Sequence, residues 1–340
     1  MIFKAFRIRI LVLCLFLTGV SFSATNFTAT SGIWDDPCNW DNGLPGTNNR
    51  AVIDQGTCTL QTKDALAKYC DLVRENSTDA NLIVNGALVV LEDYRQHFDS
   101  ASGNGYMEHN GDVSVGDEVI LVDNSGNTGS ATLVHNSGTF EVAGDFITND
   151  AQSAVDVNVV LNGGKIDVGN IFNFGRVVTE SIATMTINPG VTLNTGFDLR
   201  IGWGGDTTLP ATVTVNGGIL NIGGEIQLGR STGQGILIVN DGRITAGLGG
   251  GRDDLRLGGP NKDVGIGICT INGGRVEIFD DVFIGDGGAT GTLNINAGVL
   301  DVNDNINLSP DAAGIANVNI VDGTNTTARY RLKKEVAYIR

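Results

Sequence analysis

A short pattern that recurs about every 25 residues constrains the fold of this chain more than any other feature. Each copy has an alternating apolar and polar segment, an asparagine, one or two small residues that include glycine, and a second alternating segment. Successive asparagines are 25, 26, 26, 26, 28, 24, 32 and 24 residues apart, and a degenerate tenth copy follows at Val321. They are Asn85, Asn110, Asn136, Asn162, Asn188, Asn216, Asn240, Asn272 and Asn296. Chance Asn-Gly pairs would not hold this period, so the chain is a repeat protein.

Each repeat contains three alternating segments, as residues 293–296, 299–302 and 305–308 illustrate. A period of two marks a strand with one buried face. Three short strands with their turns fill about 25 residues, which is one turn of a three-faced parallel β-helix, whereas a left-handed hexapeptide helix needs about 18. The nine-residue glycine-rich units of calcium-binding β-rolls are absent from the sequence. We therefore predict an all-β fold: a right-handed parallel β-helix of about ten coils with an N-terminal cap.

The asparagine is expected at the corner between the first and second strands of each coil. Asparagine is one of the few residues besides glycine that tolerate the left-handed backbone region, and the glycine that follows suits any remaining positive φ. Stacked asparagine side chains can also exchange amide hydrogen bonds between coils about 4.8 Å apart. The nine asparagines are therefore predicted to form a structural ladder.

The ends of the chain differ from the repeat. Residues 1–23 resemble a secretory signal, with a basic start at Lys4, Arg7 and Arg9, a short apolar core and small residues before Ala24. Residues 24–80 are predicted to be the N-terminal cap, residues 81–325 the β-helix, and residues 326–340 a basic C-terminal segment or cap. Uncapped solenoid ends can pair with other chains, so end-to-end self-association is an open expectation.

Charge and export limit the partners that we expect. Loss of the signal removes three basic residues and shifts the net charge from −16 to −19. Such a chain is repelled by nucleic acid and by anionic membranes, and no segment of the mature chain is apolar over the length of a membrane span. We predict a secreted protein, extracellular or on the cell surface.

Four cysteines remain after the predicted signal is removed, and export makes disulfide bonds plausible. Cys38, Cys58 and Cys70 cluster near the start of the mature chain, and Cys38–Cys58 is the favoured local pair. Cys269 occupies an apolar position, where a buried thiol and a disulfide are both consistent with the sequence. The pairing of the four stays open.

One segment carries a family resemblance. Residues 32–54 contain Gly-Ile-Trp, Asn-Trp, Gly-Leu-Pro and Ala-Val-Ile-Asp, and coils with Asn-Gly-Gly corners follow. This arrangement resembles secreted bacterial β-solenoid proteins, a group that includes autotransporter-passenger-like and sorting-signal surface proteins. The resemblance implies an adhesive or surface-structural role, with extracellular polysaccharide or cell-surface components as partners. The anchoring mechanism, the oligomeric state and whether Arg340 is the natural C-terminus are left open.

One face of the predicted helix carries clustered charge. Alignment of the third strands places Asp198, Glu225, Asp254 and Asp281 in a column on consecutive coils, with Arg200 and Arg256 two positions further along. Enlarged loops nearby hold Trp203, Arg252 and Asp253. These nine residues form the candidate ligand face. Three interpretations are open: an acidic stripe neutralised by its own arginines, a Ca²⁺ or glycan site, and a catalytic centre. Trp203 could stack on a sugar or cover the core beneath a long loop.

The remaining sequence argues against catalysis. Motifs for serine hydrolases, zinc proteases, phosphate-binding loops and dinucleotide binding are absent, and so are the Gly-His-Gly and Arg-Ile-Lys elements of polygalacturonases. We nominate no catalytic residue and no cofactor other than Ca²⁺. The sequence predicts a non-catalytic extracellular structural or adhesive protein. The alternative is a polysaccharide lyase or glycoside hydrolase that acts through the Asp198–Asp281 face.

Overall fold

The computed structural model describes residues 24–61, 64–74, 78–97, 102–123, 126–150, 154–176, 181–205, 209–249, 254–259, 264–309 and 314–321, together with the backbone of 329–332. The predicted signal, residues 1–23, lies outside the described residues, and so does most of the predicted C-terminal segment. Within the described part, no helix has the length and apolar character needed to cross a membrane.

The described chain forms three parallel sheets and one short 3₁₀ helix, Pro37–Asn39. The first sheet has 12 strands: β1 Ala24–Asn26, β3 Arg50–Ile53, β6 Tyr69–Leu72, β9 Tyr94–Gln96, β12 Val119–Ile120, β15 Phe146–Ile147, β18 Phe172–Phe174, β21 Leu199–Trp203, β24 Ile226–Arg230, β27 Leu255–Leu257, β30 Val282–Ile284 and β33 Ile306–Leu308. The second sheet also has 12: β2 Ser31–Ile33, β4 Gly56–Leu60, β7 Ala80–Val84, β10 Asn104–His109, β13 Thr128–His135, β16 Ala154–Leu161, β19 Ala183–Ile187, β22 Ala211–Val215, β25 Gln234–Val239, β28 Ile266–Ile271, β31 Thr290–Ile295 and β34 Ile315–Ile320. The third sheet has 11: β5 Ala65–Ala67, β8 Leu88–Val90, β11 Val113–Val115, β14 Thr139–Val142, β17 Gly164–Val168, β20 Val191–Thr195, β23 Ile219–Ile222, β26 Arg243–Ala246, β29 Arg275–Ile278, β32 Val299–Val302 and β35 Arg329–Leu332.

The order of the strands makes the molecule a parallel β-helix, which confirms the predicted fold class. From β3 onward the chain passes through the first, second and third sheets in turn, and each strand pairs in parallel with its equivalent one coil later. Residues 24–80, predicted as a cap, contribute strands to all three sheets, so the β-helix begins before residue 81.

The core is a stack of inward-facing side chains enclosed by the three sheets. Buried positions alternate with outward ones, as the period of two in the sequence requires. At the N-terminal end, Phe27, Trp34 and Trp40 are at most 4% exposed, and the two indoles make an edge contact at 5.0 Å between centroids. The Trp40 indole N–H donates to the Trp34 carbonyl at 2.9 Å. These three aromatic rings belong to the same apolar core as the coils that follow.

The asparagine corners form a continuous ladder, but not for the backbone reason that the sequence suggested. Eight hydrogen bonds link the nine asparagines, each Nδ2 donating to the Oδ1 of the preceding coil at 2.8–3.2 Å. None of the nine has a positive φ. The left-handed residue in seven of these corners is the glycine two positions later, such as Gly164 at +82° and Gly242 at +99°. The expectation that asparagine supplies the left-handed turn is therefore wrong, and its contribution is the side-chain amide.

The predicted disulfide is also wrong. No disulfide joins Cys38, Cys58, Cys70 and Cys269. Cys38 is exposed on the 3₁₀ helix, whereas Cys58 points into the core from β4 and is fully buried. Because one of these side chains is exposed and the other is fully buried, a bridge between them would require the backbone to move. Cys269, for which the sequence allowed either a buried thiol or a disulfide, is a buried thiol.

Candidate functional site

The four carboxylates of the predicted column lie on consecutive coils at the start of four neighbouring strands of the first sheet. Strand register pairs Leu199 with Ile226, Ile226 with Leu255, and Leu255 with Val282. The residue before each of these positions is Asp198, Glu225, Asp254 or Asp281. The column therefore follows from the hydrogen-bond register of the sheet.

One oxygen atom of each aspartate in the column joins two coils. Asp198 Oδ1 accepts from the backbone N–H of Glu225 at 3.2 Å, and Asp254 Oδ1 accepts from that of Asp281 at 3.2 Å. Asp281 Oδ1 accepts from Asn305 N–H at 2.8 Å. Asp145 makes the same bond to Ile171 at 3.0 Å, in a coil before the candidate face. These bonds satisfy backbone donors at a turn, which is a structural task.

In Asp198, Glu225 and Asp254, one carboxylate oxygen atom accepts a hydrogen bond from arginine. Asp198 Oδ2 accepts from Arg200 Nη2 at 2.7 Å. Arg256 donates to Glu225 Oε2 at 3.0 Å, to Asp254 Oδ2 at 2.6 Å and to Asp286 Oδ2 at 3.0 Å. The Arg256 side chain is only 10% exposed. A single buried guanidinium therefore joins three carboxylates from three coils, and its one positive charge offsets only part of their negative charge.

Glu225 is the most perturbed acid on this face. It is 6% exposed, and its Oε1 accepts a short hydrogen bond from Gln227. Burial, and then the negative charge of Asp198, raise the pKa of Glu225 above its ordinary value, while Arg256 opposes the shift. A raised pKa suits a general acid, but both oxygen atoms of this carboxyl are already bound within the protein.

Trp203 lies between guanidinium groups. The Cζ atoms of Arg200 and Arg230 are each 4.7 Å from the ring centroid, and that of Arg176 is 5.6 Å away. Register places Arg230 beside Trp203 on the following coil, and Arg176 holds the equivalent place on the preceding coil. The indole thus forms part of a cation–π column, and arginines occupy the places where a stacked sugar would lie.

One group of three acids has the spacing of a cation site. Carboxylate oxygen atoms of Asp254, Asp280 and Asp281 lie within 4.8 Å of one another. Ca²⁺ takes oxygen ligands of this kind, usually six to eight of them. These residues could hold a Ca²⁺ ion with backbone carbonyls or water completing its shell, but Asp254 is already bound to Arg256 and to the backbone of Asp281.

The structure brings seven of the nine predicted residues to one end of the first sheet, namely Asp198, Arg200, Trp203, Glu225, Asp254, Arg256 and Asp281. Arg252 and Asp253 lie outside the described residues. The sequence analysis missed Arg176, Arg230 and Asp286. All three occupy the position after the glycine that closes the strand, as Trp203 does, so extending the column alignment by one residue would have found them.

Comparison with protein-family models, with curated proteins and with solved structures finds no match to this chain.

Proposed function

We propose that this chain is a non-catalytic structural or adhesive rod, secreted to the cell surface or the extracellular matrix. The observation that carries the proposal is that Asp198, Glu225 and Asp254 each have both oxygen atoms bound to the protein's own arginine, glutamine or backbone groups. Acid–base catalysis requires a carboxyl group within reach of the substrate. Carboxylates that hold coils together fit a load-carrying solenoid better.

The alternative, a lyase or hydrolase that acts through this face, would have to break several of these bonds. Glu225 and Asp254 are 6% and 4% exposed, so a substrate would also have to displace the groups that cover them. The raised pKa of Glu225 is explained by burial in an ion-pair network, which perturbs ionisable groups without any catalytic role. The structural proposal is therefore supported by the hydrogen bonds and ion pairs that already occupy these carboxylates.

The test is a depolymerisation screen on acidic and neutral polysaccharides with the purified mature chain. We expect no release of oligosaccharides. Release that is lost in Asp254→Asn, but kept in the matched variant Asp301→Asn on the third sheet, would overturn the proposal. Circular dichroism of both variants separates loss of activity from loss of fold.

Secretion and partners need separate experiments. We expect fractionation of the source cells to place the chain outside the cytoplasm with Ala24 as its N-terminal residue. Co-sedimentation with insoluble cell-wall polysaccharide tests the adhesive part of the proposal. Recovery of the whole chain in the cytoplasm, with residues 1–23 intact, would contradict the extracellular role.

A further inference from the structure

The outer face of the second sheet loses all charge over its last six coils. The strands concerned are β19, β22, β25, β28, β31 and β34, and none of their residues is acidic, basic or histidine. We call the outward side of these six strands the neutral face. Earlier strands of the same sheet do carry charge, such as Glu108 in β10 and Asp156 in β16.

The other two faces of the rod are charged in the same coils. The first sheet carries Arg200 and Arg256 with their carboxylate partners. The third sheet carries Arg275, which pairs with Glu277 and with Asp301. In a chain with a net charge of −16, six consecutive uncharged strands set this face apart from the other two.

The neutral face is regular and already ordered. Register stacks Thr212 on Thr184 and Ile236 on Thr212, and the same columns continue to the last coil. Asn294 Nδ2 donates to Thr270 Oγ1 at 3.1 Å, and Asn319 Nδ2 donates to Asn294 Oδ1 at 2.8 Å. Most of the outward residues are threonine or isoleucine, which have few rotamers to lose on burial. A flat partner could therefore pack on this face at little cost in side-chain entropy.

The dimensions of the neutral face suit a stable contact. Six strands at about 4.8 Å spacing cover roughly 29 Å, and the outward positions with the adjoining asparagine corner span roughly 20 Å along the strands. This gives about 600 Å² per copy, or about 1,200 Å² when two such faces meet. Specific interfaces begin at about this total area.

We propose that the neutral face pairs with the same face of a second copy, so that two rods lie side by side. Each copy is strongly acidic, and therefore two charged faces that met in this way would repel. Two neutral faces meet without that penalty, and sheets pack face to face about 10 Å apart. A twofold arrangement uses one surface twice and is the commonest form of oligomer. This inference concerns assembly and does not depend on the proposed function.

The experiment is light scattering coupled to size exclusion on the mature chain, at up to about 100 µM, well above the micromolar constants of the weaker interfaces of standard size. We expect twice the chain mass for the wild type, and the single mass for Ile236→Glu, which places like charges opposite each other. The control Asn221→Glu, outward on β23 of the third sheet, should keep the double mass. Since no ion pairs are involved, added salt should not dissociate the dimer.

Three results would overturn this inference. A wild-type chain of single mass over the whole range would show that the face does not pair. An Ile236→Glu variant of double mass would assign the dimer to another surface. A monomeric wild type whose co-sedimentation with insoluble polysaccharide is lost in Ile236→Glu, but kept in Asn221→Glu, would assign the face to a glycan surface. Thermal melts of both variants confirm that they are folded.

Discussion

Replacing Arg256 with methionine tests whether the acidic column is held together by its own counter-charge. Methionine keeps an apolar stem of similar length beside the Phe283 ring, which lies 4.1 Å from the guanidinium carbon. The change removes the partner of Glu225, Asp254 and Asp286, whose side chains are 8%, 5% and 15% exposed. Removing one partner of a buried ion pair costs about 3–5 kcal/mol. We expect a loss of that size in the free energy of unfolding.

The loss should depend on pH in a defined direction. Arg256 lowers the pKa of Glu225, while burial raises it, so the variant should raise it further above the ordinary value of 4.5. A carboxyl with a raised pKa in the folded state destabilises the fold when ionised, and the penalty fades as pH falls toward the unfolded value. The deficit of Arg256→Met should therefore be larger at about pH 8 than at about pH 5.

Urea denaturation followed by circular dichroism measures both effects. Arg275→Met is the matched control, because Arg275 also joins two carboxylates but its side chain is 43% exposed. Exposed pairs contribute about 1 kcal/mol or less, so the control should lose little. A deficit in Arg256→Met no larger than that of the control, or one that stays constant with pH, would refute the structural role of the column.

Three further predictions concern the rest of the rod. Asn216→Ala removes the ladder hydrogen bonds to Asn188 at 3.2 Å and from Asn240 at 2.9 Å. We expect the free energy of unfolding, measured by urea denaturation, to fall by about 1–3 kcal/mol. An unchanged denaturation midpoint would show that the ladder is not stabilising. Burial, reinforced by a neighbouring histidine, lowers the pKa of His109 from 6.5 to about 3. The folded state therefore favours the neutral ring, and the protein should lose stability as pH falls below about 6.5. In His109→Phe, that part of the pH dependence of Tm should vanish. Ca²⁺ should raise the melting temperature relative to chelator, and Asp281→Asn should abolish the rise; identical melting curves with and without the ion would dismiss a calcium site.

The sequence predicted the coil, the asparagine ladder and the acidic column because all three depend on the repeat period. Once the period is known, residues at equivalent positions must lie one strand apart. Arg200 beside Asp198 follows from the same alignment, since outward residues on one strand recur every second position. The repeat thus predicts which residues stack in one column along the rod, provided that the strand register is known.

Side-chain contacts between different columns could not be predicted from the sequence. Asp286 reaches Arg256 from the following coil, and nothing in the spacing of the chain shows which of several nearby acids a long side chain will choose. The faces of Trp203 are covered by arginines because three different coils contribute to one small volume. The failed Cys38–Cys58 pairing has a related cause: closeness in sequence does not show whether a side chain is exposed or buried.

In a solenoid, residue type alone is a poor guide to function, because every local hydrogen bond is repeated into a column. Four stacked acids suggest catalysis or a metal on an ordinary enzyme surface. Here, each aspartate of the column uses one carboxylate oxygen to accept a hydrogen bond from a backbone N–H of the next coil. Asp145 makes the same bond away from the candidate face. The surface that departs from this repeating chemistry is the neutral face, where threonine and isoleucine replace charge. The proposed role as a structural or adhesive rod would be carried out by its extended faces, and we expect recognition on the uncharged one.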